Sequence, residues 1–232
     1  MTQQRQPLLV VIEGIDGSGK GTQTVRLCEQ LRGQGLSVGT LSFPRYRDTF
    51  FGQRIGDFLN GKFGQLAEVD PFLASLLYAG DRLESKAVLQ QLLAANDVVV
   101  LDRYVPSNVA HQAGKRTGAE RTVLADWIEQ MEYGIFGLPR PDLVILLDAS
   151  AEVSQTLIAR KAQRDYTDRA ADLQEADVDY LAGVRSAYRE LAAERGWAIV
   201  PVSDESGLRL VEAITQELEG LVIRAQARMS CR

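Results

Sequence analysis

Five short apolar runs recur along this 232-residue chain: Leu8 to Ile12, Ser37 to Leu41, Val98 to Leu101, Leu143 to Leu147 and Ala198 to Val202. A strand with one wet face alternates apolar and polar residues, whereas runs apolar throughout suit a parallel sheet covered on both sides. Helix-compatible stretches separate them, at Thr22 to Arg32, Phe51 to Leu59, Pro71 to Ala94, Thr117 to Tyr133, Glu152 to Ala162, Asp177 to Glu194 and Leu208 to Arg228. Alternating β and α predicts an α/β fold with helices on both faces of the sheet. Glycines and prolines, among them Gly61, Gly64, Pro106, Gly137, Pro139 and Pro141, punctuate the loops. The length suits one domain over residues 1–232, with residues 225–232 as a fraying tail.

Ligands of such sheets bind beyond the carboxyl ends of the strands. Four segments fall there: Gly14 to Thr22, Phe43 to Tyr46, Asp102 to Tyr104, and Asp148. The first reads Gly14-Ile15-Asp16-Gly17-Ser18-Gly19-Lys20-Gly21-Thr22. Glycines let backbone N–H groups converge on a polyphosphate, the following helix presents its positive end, and Lys20 adds a cation. The bare pattern G-x-x-x-x-G-K arises by chance in roughly one chain in fifteen of this length. A buried strand before it and a helix after it make a phosphate cradle the better reading. Gly21 stands where the strict pattern has Ser or Thr, so a hydroxyl for Mg²⁺ falls to Thr22 or to water.

Composition narrows the choice. Net charge is −5 and the isoelectric point about 5.1, so no global basic field draws the chain to nucleic acid and an anion site must be local. Two distant cysteines, Cys28 and Cys231, and a single histidine, His111, offer neither zinc spacing nor a His-based triad. Met1 to Pro7 has no signal-peptide pattern and no apolar run reaches membrane-spanning length, so a reduced, cytoplasmic setting away from membranes is expected.

Other segments carry candidate chemistry. Phe43-Pro44-Arg45-Tyr46 puts an apolar pair beside a guanidinium, suited to a planar phosphorylated ligand or equally to a core edge with a solvated arginine. Asp102-Arg103-Tyr104 ends the third strand, where Asp102 stands as a Walker-B acid or as the partner of Arg103. Ser107, Asn108, His111 and Gln112 offer polar groups from one turn of helix, suited to a base edge. Tyr78 and Arg82 share a helical face; stacking with hydrogen bonding is one reading, a core tyrosine with Arg82 paired to Asp81 or Glu84 at the surface the other. Residues 160–169 hold four cations, Arg160, Lys161, Arg164 and Arg169, in a polar stretch that reads as a lid over a triphosphate or as a solvated basic loop.

Taken together, these segments and Gly137-Leu138-Pro139-Arg140-Pro141-Asp142 resemble the thymidylate kinase family over nearly the whole chain. The resemblance implies a three-layer P-loop kinase fold, with a five-stranded parallel sheet, helices on both faces and a mobile lid at about 160–170. It implies transfer of the γ-phosphoryl group of ATP to dTMP, with Mg²⁺, in a homodimer. Lys20, Arg103, Arg164 and Arg169 would be catalytic, the last two from the lid as in relatives with glycine at position 17. ATP would lie on Gly14, Ile15, Asp16, Gly17, Ser18, Gly19, Lys20, Gly21, Thr22 and Arg160. The acceptor would take Asp16 at its sugar hydroxyl, Arg45 and Arg103 at its phosphate, Arg82 and Asn108 at thymine, with Phe43, Pro44, Tyr78, Ser107 and His111 around it. Thr22 and Asp102 would serve Mg²⁺, directly or through water. Tyr78 replaces the family's usual Phe, and His111 its usual Tyr or Phe against the deoxyribose. A kinase for dUMP, UMP or AMP is the alternative; a GTPase-like switch lacks its base-reading Asn-Lys-x-Asp segment here.

Overall fold

The computed structural model describes residues 6–65, 68–159 and 178–230. The expected lid, with Arg160, Arg164 and Arg169, lies outside them, as does Cys231. Five parallel strands form one sheet: β1 (Leu8–Glu13), β2 (Val38–Ser42), β3 (Val98–Asp102), β4 (Leu143–Asp148) and β5 (Ala198–Pro201), in the order β2-β3-β1-β4-β5. The connection from β1 to β2 runs one way along the sheet and the later ones run the other, so right-handed crossovers put their helices on opposite faces. α1 (Lys20–Gly33) covers one face with α9 (Val211–Ser230); α4 (Lys86–Ala95) and α8 (Val178–Arg195) lie against β2, β3 and β4 on the other. All six residues of β1 are buried, as its apolar run requires.

β1 and β3 are parallel neighbours, but their onward connections leave in opposite directions along the sheet, which opens a crevice at their carboxyl ends. A second, small cluster of Ile55, Phe58, Leu59 and Ala74 joins α2 (Phe50–Leu59) to α3 (Pro71–Glu84) and props Tyr46 and Tyr78 beside that crevice.

Several helices depart from the simple periodic reading. The stretch from Pro71 to Ala94 is two helices, because at Ser85 (φ −86°, ψ −4°) the hydroxyl donates back to Asp81 O at 2.8 Å and accepts from Arg45 Nη1 at 3.2 Å. The stretch from Thr117 to Tyr133 is α6 (Gly118–Glu129) widening into a π turn over Gln130–Ile135. A short helix α5 (Val105–Asn108) likewise runs into a π turn over Val109–Ala113. The last helix starts at Val211, since β6 (Ser203–Asp204) and β7 (Gly207–Leu208) pair as a hairpin whose turn is held by Ser206 N donating to Asp204 Oδ1 at 2.8 Å. α7 (Ala151–Ala159) completes the set.

Candidate active site

The phosphate loop leaves β1 through three glycines with positive φ, Gly14 (146°), Gly17 (74°) and Gly19 (87°). Only glycine takes such angles without strain. At Gly17 the packing is equally strict: a Cβ would lie 2.5 Å from Ser154 O of α7, whose hydroxyl donates to Asp16 O. Gly19 caps α1 with no side chain, so the first N–H groups of the helix stay available to an anion. Lys20 folds back over the loop and donates to Gly14 O at 2.9 Å and Ile15 O at 2.8 Å. Burial, then the nearby Arg103 charge, lowers its proton affinity to about 8.

Arg103 follows β3 with φ 67°, the one non-glycine positive φ among the described residues. Such a backbone is strained for an arginine and is held by its surroundings. Its Nη2 donates to Asp16 Oδ1 at 2.8 Å, and its Nη1 reaches Gly14 O at 3.1 Å, Ser107 Oγ at 3.3 Å and His111 Nε2 at 3.3 Å. Burial works against that charge, but Asp16, Tyr188, Glu13 and Asp102 more than offset it and raise the pKa well above normal. A guanidinium only donates, so His111 Nε2 accepts, and Nδ1 carries the proton and donates to Tyr180 OH at 2.9 Å. Burial and Arg103 push His111 down to about 3, so it is a neutral ring at any ordinary pH.

Beneath them Glu13 is fully buried; Oε1 accepts from Tyr104 N at 2.9 Å, and Oε2 from Ser107 Oγ at 2.5 Å and Tyr188 OH at 2.8 Å. Its pKa is raised because burial outweighs those hydrogen bonds. A carboxylate ending an otherwise apolar strand, just before a glycine loop, is a signal that the sequence reading passed over.

Two cavities meet at Asp16, Phe43, Pro44, Tyr46 and Arg103. One is a wide groove of about 1090 Å³ along Gly17, Gly19, Lys20, Gly21 and Thr22, with Asp102 on its far wall. The other is a narrow slot of about 40 Å³ between Tyr78, Leu59 and Phe43, floored by Arg82, Asn108, His111 and Gln112. The surface pairing of Arg82 with Asp81 or Glu84 is not found: Arg82 is 2% exposed, and its Nε and Nη2 donate to buried Glu132, the latter at 2.7 Å. Asp81 instead accepts from Arg45 N at 3.0 Å and Thr49 Oγ1 at 2.6 Å. Glu132, fifty positions from Arg82, gave no signal in the sequence.

Two slot atoms are sealed from water and without a partner among the described residues, Asn108 Oδ1 and Gln112 Nε2. The other half of each amide is committed, Asn108 Nδ2 to Ser75 O at 3.0 Å and Glu132 Oε1 at 2.9 Å, Gln112 Oε1 to Lys115 Nζ at 3.1 Å. An unpaired buried acceptor and an unpaired buried donor in the lining of one slot mark a candidate ligand site, since each costs about 1–3 kcal/mol if left unmet. Phe43, Pro44, Tyr78, Arg82, Arg103, Ser107, Asn108 and His111 thus come together around one slot, and Asp16, Lys20, Gly21, Thr22 and Asp102 around one groove. Gly14, Ile15, Ser18 and Arg45 line neither cavity, and the Arg45 guanidinium pairs with Ser85 and, at 3.2 Å, with Asp48.

The thymidylate kinase family model matches residues 12–214. The thymidylate kinase of Mycobacterium tuberculosis is 38% identical over 190 residues, 82% of this chain and 87% of that one. That of Homo sapiens is 34% identical over 143 residues, 62% and 61% of the two chains. The solved structure of thymidylate kinase from Candida albicans superposes with a TM-score of 0.72 at 25% identity, covering 95% of this chain and 94% of that one. Glycine loop, crevice, slot and these likenesses agree: the chain belongs to the thymidylate kinase family, and its reaction is the phosphorylation of dTMP to dTDP by ATP.

Proposed function

We propose that dTMP enters the slot base first, with its phosphate at Arg103, and that ATP lies along the groove with its phosphates on the loop amides and Lys20. The observation that carries this is the pair of unpartnered amide atoms in the slot. Asn108 Oδ1 accepts from an N–H and Gln112 Nε2 donates to an adjacent C=O, which is the pattern of an imide edge such as thymine's. Arg82, held flat by Glu132, faces the same ring with Tyr78. Asp16 faces both cavities and suits the sugar hydroxyl, and Phe43 and Pro44 wall the ring.

The acceptor is already an anionic phosphate oxygen, so no general base is needed. Positioning and charge neutralisation do the catalysis. Arg103 aligns the acceptor, Lys20 exchanges the loop carbonyls for donor phosphate oxygens, and Arg164 and Arg169, with Arg160 at the nucleotide, arrive from the lid as the charge develops. Arg45 joins the phosphate only by leaving Ser85 and Asp48. Asp102 stands across the groove, its Oδ2 3.6 Å from where a Cβ on Gly21 would be, beside Thr22. One carboxylate, a hydroxyl, water and substrate phosphates fit Mg²⁺. Held with ATP by Asp102 and Thr22, directly or through water, such an ion would neutralise negative charge on the donor phosphates.

No helix of the described residues is long and apolar enough to cross a membrane. We place the enzyme in the cytoplasm, in dTTP synthesis, as a single domain over residues 1–232 with its lid at about 160–170. The exposed Leu73, Leu76 and Leu83 share one face of α3 beside Phe50, an apolar surface suited to a second copy. Purified protein with MgATP and each of dTMP, dUMP, UMP and AMP tests the substrate: faster turnover of UMP or AMP than of dTMP overturns this reading. Sedimentation of L73E tests the dimer.

A further inference from the structure

Lys115 touches neither cavity, yet it is 3.1 Å from the one slot amide that carries a free donor. It follows the π turn, so its side chain returns along the face of Gln112, and its ammonium lies 6.0 Å from the centre of the Phe58 ring and 5.9 Å from that of Tyr180. Burial, then Arg116, lowers its proton affinity to about 8, against the pull of Asp70, and it remains an ammonium at neutral pH. Two aromatic faces hold such a cation in place.

A carboxamide has two opposite ends, and a half-turn about its last bond exchanges acceptor and donor. An ammonium has donors only. It therefore pins Gln112 Oε1 toward itself and leaves Nε2 as the end that meets the ligand. The reverse orientation would set N–H against N⁺–H in a buried place. Asn108 is pinned in the opposite sense by Ser75 O and Glu132, which accept from its Nδ2 and leave Oδ1 to the slot. The two amides thus present an acceptor and a donor in fixed order.

We propose that Lys115 is a positioning residue that sets the base specificity of this enzyme by locking Gln112 as a hydrogen-bond donor, so that a pyrimidine with a 4-oxo group is accepted and one with a 4-amino group refused. The inference rests on the placement of the base in the slot. A 4-amino pyrimidine carries a donor where thymine carries an acceptor, and it meets the Gln112 donor head on. With Lys115 gone the amide turns freely, thymine loses a preorganised partner, and the amino base gains one.

The test is steady-state kinetics of K115M, K115R, Q112L and the double variant K115M/Q112L with dTMP and with dCMP, alongside thermal melts. K115M should raise the KM for dTMP about tenfold at nearly unchanged kcat, the worth of one hydrogen bond, and narrow the dTMP over dCMP preference by about as much. K115R, still a donor-only cation, should restore most of both. Q112L should raise the same KM, and adding K115M to it should change little, because Lys115 acts through that amide. A K115M enzyme with unchanged dTMP and dCMP parameters overturns the proposal while Q112L still upholds the slot. So does one whose two substrates suffer equally, the mark of a merely structural role. If Q112L itself leaves KM unchanged, the base does not lie in the slot and the proposal falls with that placement.

Discussion

The slot and the groove share a wall at Asp16 and Arg103 but differ in how their polar groups are satisfied without a ligand. In the slot, charges are paired with one another: Arg82 with Glu132 and Arg103 with Asp16. What remains for a ligand there is two neutral amide atoms whose other ends are committed. In the groove, Lys20 bonds, among the described residues, only to the loop's own carbonyls and to Ser18 Oγ at 3.4 Å, partners that it can give up. On the proposed placement, base recognition is built in advance, while phosphate recognition is an exchange of partners. Changes in the slot should appear in affinity and stability together, and changes on the groove side in turnover or in proton balance.

The largest expected effect tests the groove side. R164A or R169A should lower kcat by about 10³ to 10⁵ while the KM for dTMP moves little, since a lid arginine acts on charge that develops in transfer. Rapid-quench turnover with both variants as active as the parent would remove the lid from the mechanism. Next, R82A leaves Glu132 buried without its cation, at about 3–5 kcal/mol of stability, and should weaken dTMP about tenfold or more. Urea unfolding and calorimetric titration measure the two, and a stable variant of unchanged affinity would break the contrast.

A smaller effect comes from Lys20. Its folded pKa of about 8 lies below the ordinary lysine value, so above pH 8 the unliganded protein holds a neutral amine, and a triphosphate draws a proton back. Binding of a non-hydrolysable ATP analogue at pH 9 should take up about one proton, and affinity should fall with rising pH above about 8. Titration in buffers of different ionisation heat reads the uptake, which K20M should abolish. The smallest effect is that of G21S. Its Cβ meets only Asp102 at ordinary contact distance, so the helix should gain about 0.5 kcal/mol and the Mg²⁺ needed for half-maximal turnover should drop. An unchanged Mg²⁺ requirement would show that the existing ligands suffice.

The sheet was legible because four of its five strands are apolar over most of their length, β2 being mixed, and the groove because glycines and a lysine have few other uses at that spacing. The break at Ser85 was not, since it depends on a hydroxyl shared between Asp81 O and an arginine forty residues earlier. Half of the slot was legible. Tyr78, Arg82, Asn108 and His111 announce themselves by type and spacing, but Glu132, Tyr180, Tyr188 and Lys115 matter only through partners that the fold supplies. Glu13 was visible in place and unread.

The π turn over Val109–Ala113 bears on how such an enzyme can change. Its wide pitch brings Asn108, His111 and Gln112 round to the same side of the backbone. Adding or deleting a single residue there would swing everything downstream away from the nucleobase at once. Natural or engineered shifts in substrate preference at this segment should therefore proceed by swapping letters at constant spacing, and indels should be lethal to recognition long before they harm folding.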